Sequence, residues 1–158
     1  MAAGPWIVYD SFLKEKNLGT HVMGGTPDIF KVALAAQAYV PDILLAGDAL
    51  YSDITNEVSQ TDTGYTTGGQ AEVVSIDDTV AGEMTIDIVS PDWTAGTANL
   101  VAATAIIYNT SKSNKLVAYC ILDDDTTPGT PTDITVTSTN TLTVNTAAGI
   151  YTESRIDA

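Results

Sequence analysis

Histidine and cysteine each occur once in this chain, as His21 and Cys120. One cysteine excludes an intramolecular disulfide, and one of each leaves too few ligands for zinc. Cys120 lies in the apolar run Leu116–Leu122 with no histidine near it in sequence, so a buried, inert thiol is expected. A Ser-His-Asp triad would have to use His21, and no G-x-S-x-G elbow accompanies it. Positive charge is scarce as well. Six Lys and Arg face 20 Asp and Glu, for a net charge of −14, and no basic residue lies between Lys31 and Lys112. Binding to phosphates depends on Lys and Arg displacing counterions, so this balance excludes a nucleic-acid groove. It also opposes docking on an anionic bilayer. Long apolar runs are missing, none approaching the ~20 residues of a membrane helix. The start, Met1 to Trp6, lacks the basic and apolar regions of a signal peptide. The expectation is therefore a chain with no nucleic-acid partner, no membrane partner and no cofactor.

What is present suits a folded β-rich protein. A hydrophobic fraction of 44% against 16% charged residues separates the chain from disordered sequences. Its 158 residues suit one domain. The period of the pattern divides it into residues 1–25, an extended N-terminal arm or strand followed by a loop; residues 26–63, two short helices; and residues 64–158, a β body. The fold class expected is mainly β with two short N-terminal helices (α+β), the body being a compact antiparallel β-sandwich or rolled sheet.

Trp6 to Phe12 is rich in aromatic and β-branched residues and reads as a strand or arm. Thr26-Pro27-Asp28 supplies a cap, a first-turn proline and a dipole-matched acid, so the spacing predicts a helix through Ala36, stopped by Pro41. Asp48 can cap a second helix through Tyr51, Ile54 and Val58. Beyond Gly69 the period is near two. Ala71–Ile76, Met84–Val89, Leu100–Tyr108, Lys115–Leu122, Ile134–Thr137 and Thr141–Val144 read as strands. Leu100–Tyr108 with Lys115–Leu122 resembles a hairpin, and Ser138–Asn140 is the expected turn of the final pair.

The stretch Tyr51 to Gly69 joins the two halves. Gly64, Gly68 and Gly69 are expected to form a structural turn through positive φ, with Tyr65 plugging the edge of the core. The run is not a phosphate loop, because the Lys and the paired Ser/Thr are missing. Asp123-Asp124-Asp125 and Asp77-Asp78 are adjacent acids without the alternating spacing of a calcium loop, and they read as solvated turns. Paired carboxylates for glycoside hydrolysis would need a cleft that spacing alone does not supply. No catalytic, cofactor-binding or metal-binding residue is expected. The aromatic residues Trp6, Tyr9, Phe12 and Trp93 are the interface candidates, since aromatic anchors dominate subunit contacts.

Several segments carry a resemblance in order along the chain: Trp6 with Tyr9-Asp10-Ser11-Phe12, Gly19-Thr20-His21, Asp28 to Leu34, Tyr51 to Ile54 with Glu57-Val58, and Gly64 to Gly69. Asp92-Trp93, Ala105 to Asn109 and Asn114 to Ala118 extend it. Together they resemble a group of small virion proteins of tailed bacteriophages, encoded among head and tail genes. The Thr126–Thr146 region is the least characteristic part. The resemblance implies a non-enzymatic structural protein located in the virion and made in the host bacterial cytoplasm. Its implied partners are the major capsid protein or other virion proteins, and its implied state is a homo-oligomer, with a trimer favoured. A capsid decoration or cement protein is the first reading. A head–tail connector or tail component is the second, and a host-surface carbohydrate-binding module the third.

Overall fold

The run Phe30–Ala35 forms strand β2, an inner strand of a five-stranded antiparallel sheet. The structure, a computed structural model, describes residues 3–124, 129–146 and 148–154. Strand order in this sheet is β1 (Ile7–Val8), β9 (Lys115–Ile121), β8 (Thr104–Asn109), β2 and β3 (Gln70–Glu72). Phe30 pairs with Asn109 and Ala35 with Thr104, so β2 and β8 align along their whole length. Both strands are almost wholly buried, which explains why they read as continuous apolar runs rather than alternating ones.

The first helix expected from the sequence, over Thr26 to Ala36, is therefore this strand. The acid expected to match the helix dipole has another use: Asp28 Oδ2 accepts from Val22 N at 2.9 Å and from Asn109 Nδ2 at 2.8 Å. Two flanking strands bond the backbone of Phe30, Lys31 and Val32, a tertiary gain that outweighs a capping preference of about 1 kcal/mol. The second expected helix is only a 3-10 turn, Tyr51–Asp53. Asp48 does not cap it, and instead accepts from Tyr39 Oη and Asp42 N.

The α-helix lies earlier, at α1 (Asp10–Asn17), inside the segment expected to be extended. Asp10 in its first turn and Lys14 and Lys16 in its last suit the helix dipole, and Phe12 points into the core. The N-terminal arm is not free either. Gly4 N donates to Ile121 O and Tyr9 N to Val117 O, and β1 pairs with β9, so the arm lies along its own chain.

The remaining strands form three smaller antiparallel sheets. β12 (Tyr151–Ser154), β5 (Glu83–Ile88) and β4 (Val74–Asp77) make one. β10 (Ile134–Val136) pairs with β7 (Leu100–Ala102), and β11 (Thr141–Thr143) with β6 (Asp92–Thr94). The expected strand Ala71–Ile76 is broken at Val73, one half joining β2 and the other β5. Likewise Leu100–Tyr108 divides at Ala103, where Ala103 N donates to Ala35 O. β8 and β9 form the expected hairpin. β10 and β11, expected as the final pair, do not pair with each other; each takes a partner from the 92–102 region. One apolar cluster draws on all four sheets and α1, including Phe12, Val74, Ile86, Trp93, Leu100, Ile106, Leu116 and Ile134.

Candidate functional site

Tyr9, Phe12 and Trp93, three of the four interface candidates, are core residues with at most 1% of their surface accessible. Tyr9 stacks at a tilt on Tyr119 and its hydroxyl meets Tyr39 Oη at 3.0 Å. Trp93 packs against Tyr65. Their aromatic area stabilises the chain itself, which leaves none of it for a second subunit. Trp6 alone of the four remains partly accessible. It lines an open cleft of about 580 Å³ between the arm, residues 3–6, and the segment that includes Ile150, Tyr151 and Thr152.

The joint Tyr51 to Gly69 is built around Glu57, which sequence reading did not single out. The Glu57 carboxylate accepts from Tyr51 Oη at 2.5 Å, Tyr65 Oη at 2.6 Å and Gly68 N at 2.7 Å. Tyr108 Oη donates to Gly68 O at 2.6 Å, and its ring stacks on Tyr51 with centroids 4.6 Å apart. Tyr65 Oη also accepts from Leu34 N, tying the joint to β2. Burial first, and hydrogen bonding to Glu57 second, push the Tyr51 and Tyr65 hydroxyls far above the ordinary tyrosine range. Burial and the Glu57 charge take Tyr108 to about 12. The phenols therefore stay protonated donors at any neutral pH, and the cluster functions as a clamp.

The glycines make that clamp possible. Gly64, Gly68 and Gly69 all have positive φ. A Cβ at Gly69 would sit 1.8 Å from Val32 O, and one at Gly64 would sit 2.0 Å from Thr94 O. Backbone passes so close at both points that only hydrogen fits. Tyr65 is buried beside them.

His21 belongs to a second polar centre. Asn109 Oδ1 accepts from Ser111 N, so its amide nitrogen is the donor that reaches Asp28 Oδ2 and His21 Nδ1. Nδ1 is therefore the bare nitrogen of the ring, and the ring proton sits on Nε2, 3.4 Å from Glu15 Oε2. Glu15 also binds Lys115, and Lys112 lies 3.5 Å from Asp28. Burial, the largest cause, holds the His21 pKa below its usual value against the opposing pull of Glu15 and Asp28. At Asp28, burial would raise the carboxyl, but Val22 N, Asn109 and Lys112 together hold it below its ordinary value. These contacts pin α1, the 21–28 loop and the end of β8 to one another.

The Cys120 thiol donates to Gly4 O at 3.2 Å, and burial reinforced by Asp124 pushes its pKa up to about 11. It stays a thiol at neutral pH, which is the unreactive form. Asp77 accepts from Thr79 N and shapes its own turn. Asp124 Oδ1 similarly accepts from Gly129 N. Asp125, the third acid of that run, lies outside the described residues. Among the described residues, no three His, Cys, Asp or Glu side chains are placed to share a metal ion.

Scans against protein-family models, curated proteins and solved structures return no match to this chain.

Proposed function

We propose that this chain is a non-enzymatic structural protein of a tailed-bacteriophage virion, stationed on the capsid exterior as a decoration or cement protein. The observation that supports this most is the use made of the Tyr51–Gly69 segment, where the resemblance is strongest. Its carboxylate, phenols and glycines are engaged in fastening a turn to the central sheet. His21 and Cys120 are likewise held in contacts that fasten segments together. Meanwhile large apolar side chains stand outside the core, among them Val40, Leu44 and Leu45. Apolar residues grouped on a surface mark contact sites for other macromolecules.

On this reading the four sheets close over the common core as a sandwich, and the protein assembles as a trimer on the shell. Trp6 and the adjoining cleft supply the subunit contact, and the partner is the major capsid protein. The same resemblance spans tail genes, so a connector or tail component is the second reading. Particles assembled without the protein should burst at a lower temperature or milder osmotic shock than complete ones. Equal resistance of the two kinds of particle would contradict the decoration reading.

A further inference from the structure

Between Tyr39 and Ala49 the chain makes a closed loop with an apolar tip. Gly47 N donates to Leu44 O at 2.8 Å and Asp48 N to Asp42 O at 2.9 Å. Asp42 Oδ1 accepts from Leu44 N, while Asp48 Oδ2 accepts from Asp42 N and from Tyr39 Oη. Asp10 N donates to Ile43 O, which fixes the loop to the start of α1. A Cβ at Gly47 would fall 2.3 Å from Asp42 Cγ, so the turn can close this tightly only with glycine there. Ile43 packs against the core, yet its neighbours Leu44 and Leu45 stay 61% and 60% accessible, and Val40 66%. A loop that is already ordered loses little conformational freedom on binding, so its apolar tip can act as an anchor.

The charge around the tip identifies what it fits. Asp42 and Asp48 lie in this loop and Asp53 in the 3-10 turn that follows it, and the sequence has no Lys or Arg from Val32 to Ser111. A second copy brings few free cations to meet them: Lys16 is paired with Glu153, Lys112 with Asp28 and Lys115 with Glu15. Like charges facing one another across an interface oppose association, whereas a basic rim complements these acids.

We infer that the loop 40–48 is a preformed plug whose occupied partner is a different protein, one that presents an apolar socket rimmed by Lys or Arg. The inference rests on the virion reading, with the socket on the shell. The test uses particles assembled without this protein, to which purified wild type and the Leu44→Ser/Leu45→Ser variant are added back. Val73→Ser/Val89→Ser serves as a control on another exposed apolar pair. Both variants should keep the wild-type unfolding midpoint and the wild-type mass in solution. The loop variant should bind the shells about tenfold more weakly or worse. The control should bind like wild type, and wild-type binding should weaken as NaCl rises. Unchanged binding by the loop variant to shells that accept wild type overturns the plug and leaves the virion reading standing. Loss of subunits from the variant in solution also overturns it, because a second copy would then be the occupant. Failure of wild type to bind any shell removes the virion reading and the plug together.

Discussion

At Gly69 an added methyl group would meet the carbonyl oxygen of Val32 at 1.8 Å, on a backbone with φ of +68°. At Gly19 the φ is almost the same, +71°, but nothing lies within 4 Å. The pair separates backbone strain from collision. Gly19→Ala should lower stability by about 1 kcal/mol, the cost of a left-handed alanine. Gly69→Ala should cost more than about 4 kcal/mol, in the range reserved for severe steric conflict. Urea unfolding of both variants checks this, and equal losses would contradict it. Glu57→Ala leaves two phenols and one backbone N–H without their acceptor, and it should cost about 3 kcal/mol by the same measurement. The glycine joint was legible in the sequence because Gly-Tyr-Thr-Thr-Gly-Gly has few other uses. Glu57 was not, because a single carboxylate among 20 acids gives no local sign of the tyrosines that converge on it. His21 supplies the pH prediction. Its folded pKa lies below the ordinary 6.5, so the folded state binds fewer protons than the unfolded one. Its contribution is complete above about pH 6.5 and is lost as pH falls through the folded value. Burial drives the shift, Glu15 and Asp28 oppose it and Lys115 adds to it, while Lys112 faces the same centre beside Asp28. Wild type should therefore lose stability between neutral pH and pH 5, and His21→Gln, though less stable at neutral pH, should show a flatter profile there. Parallel profiles would contradict this account of the ring.

β8 and β4 show how differently strands of this fold are loaded. Ile106 on β8 is wholly buried between β2 and β9, while Ile76 on the edge strand β4 is 40% accessible. Ile106→Ala should cost about 3 kcal/mol and Ile76→Ala less than about 1 kcal/mol, read from denaturant midpoints at constant m. The existence of most strands after Gly69 was legible, because period-two alternation survives in any half-buried strand. Their partners were not. Val73 diverts one apparent strand into two sheets, and the Thr-rich strands β10 and β11 find β7 and β6 instead of each other. Such choices are made by packing between distant segments, which a local period does not encode. The elements misread include β2, α1 and the second expected helix, which is only the 3-10 turn Tyr51–Asp53. Thr26-Pro27-Asp28 has the local form of a helix start, but Asp28 is drawn to Val22 and Asn109, and the following run is sandwiched between strands. Asp10 to Asn17 has few apolar residues to show a helical period, and it is recognisable mainly by its acid-first, base-last charge order.

For the molecule as a whole, the sequence expectation of a β-rich chain agrees with a structure that has four antiparallel sheets and one α-helix among the described residues. The candidate surface was less legible than the fold. Aromatic residues were the expected anchors, yet Tyr9, Phe12 and Trp93 are needed for a core that a chain of this size must build from few large side chains. The apolar residues left outside are aliphatic, and the exposure of Val40, Leu44 and Leu45 follows from loop closure at Asp42 and Asp48, which no pattern of hydrophobicity announces. The proposed role as a capsid decoration protein is tested most directly by quantitative mass spectrometry of purified particles separated into heads and tails. The account predicts this chain in the head fraction, at a copy number in fixed proportion to the major shell subunit. Its absence from purified particles, or its recovery in tails alone, would contradict that account.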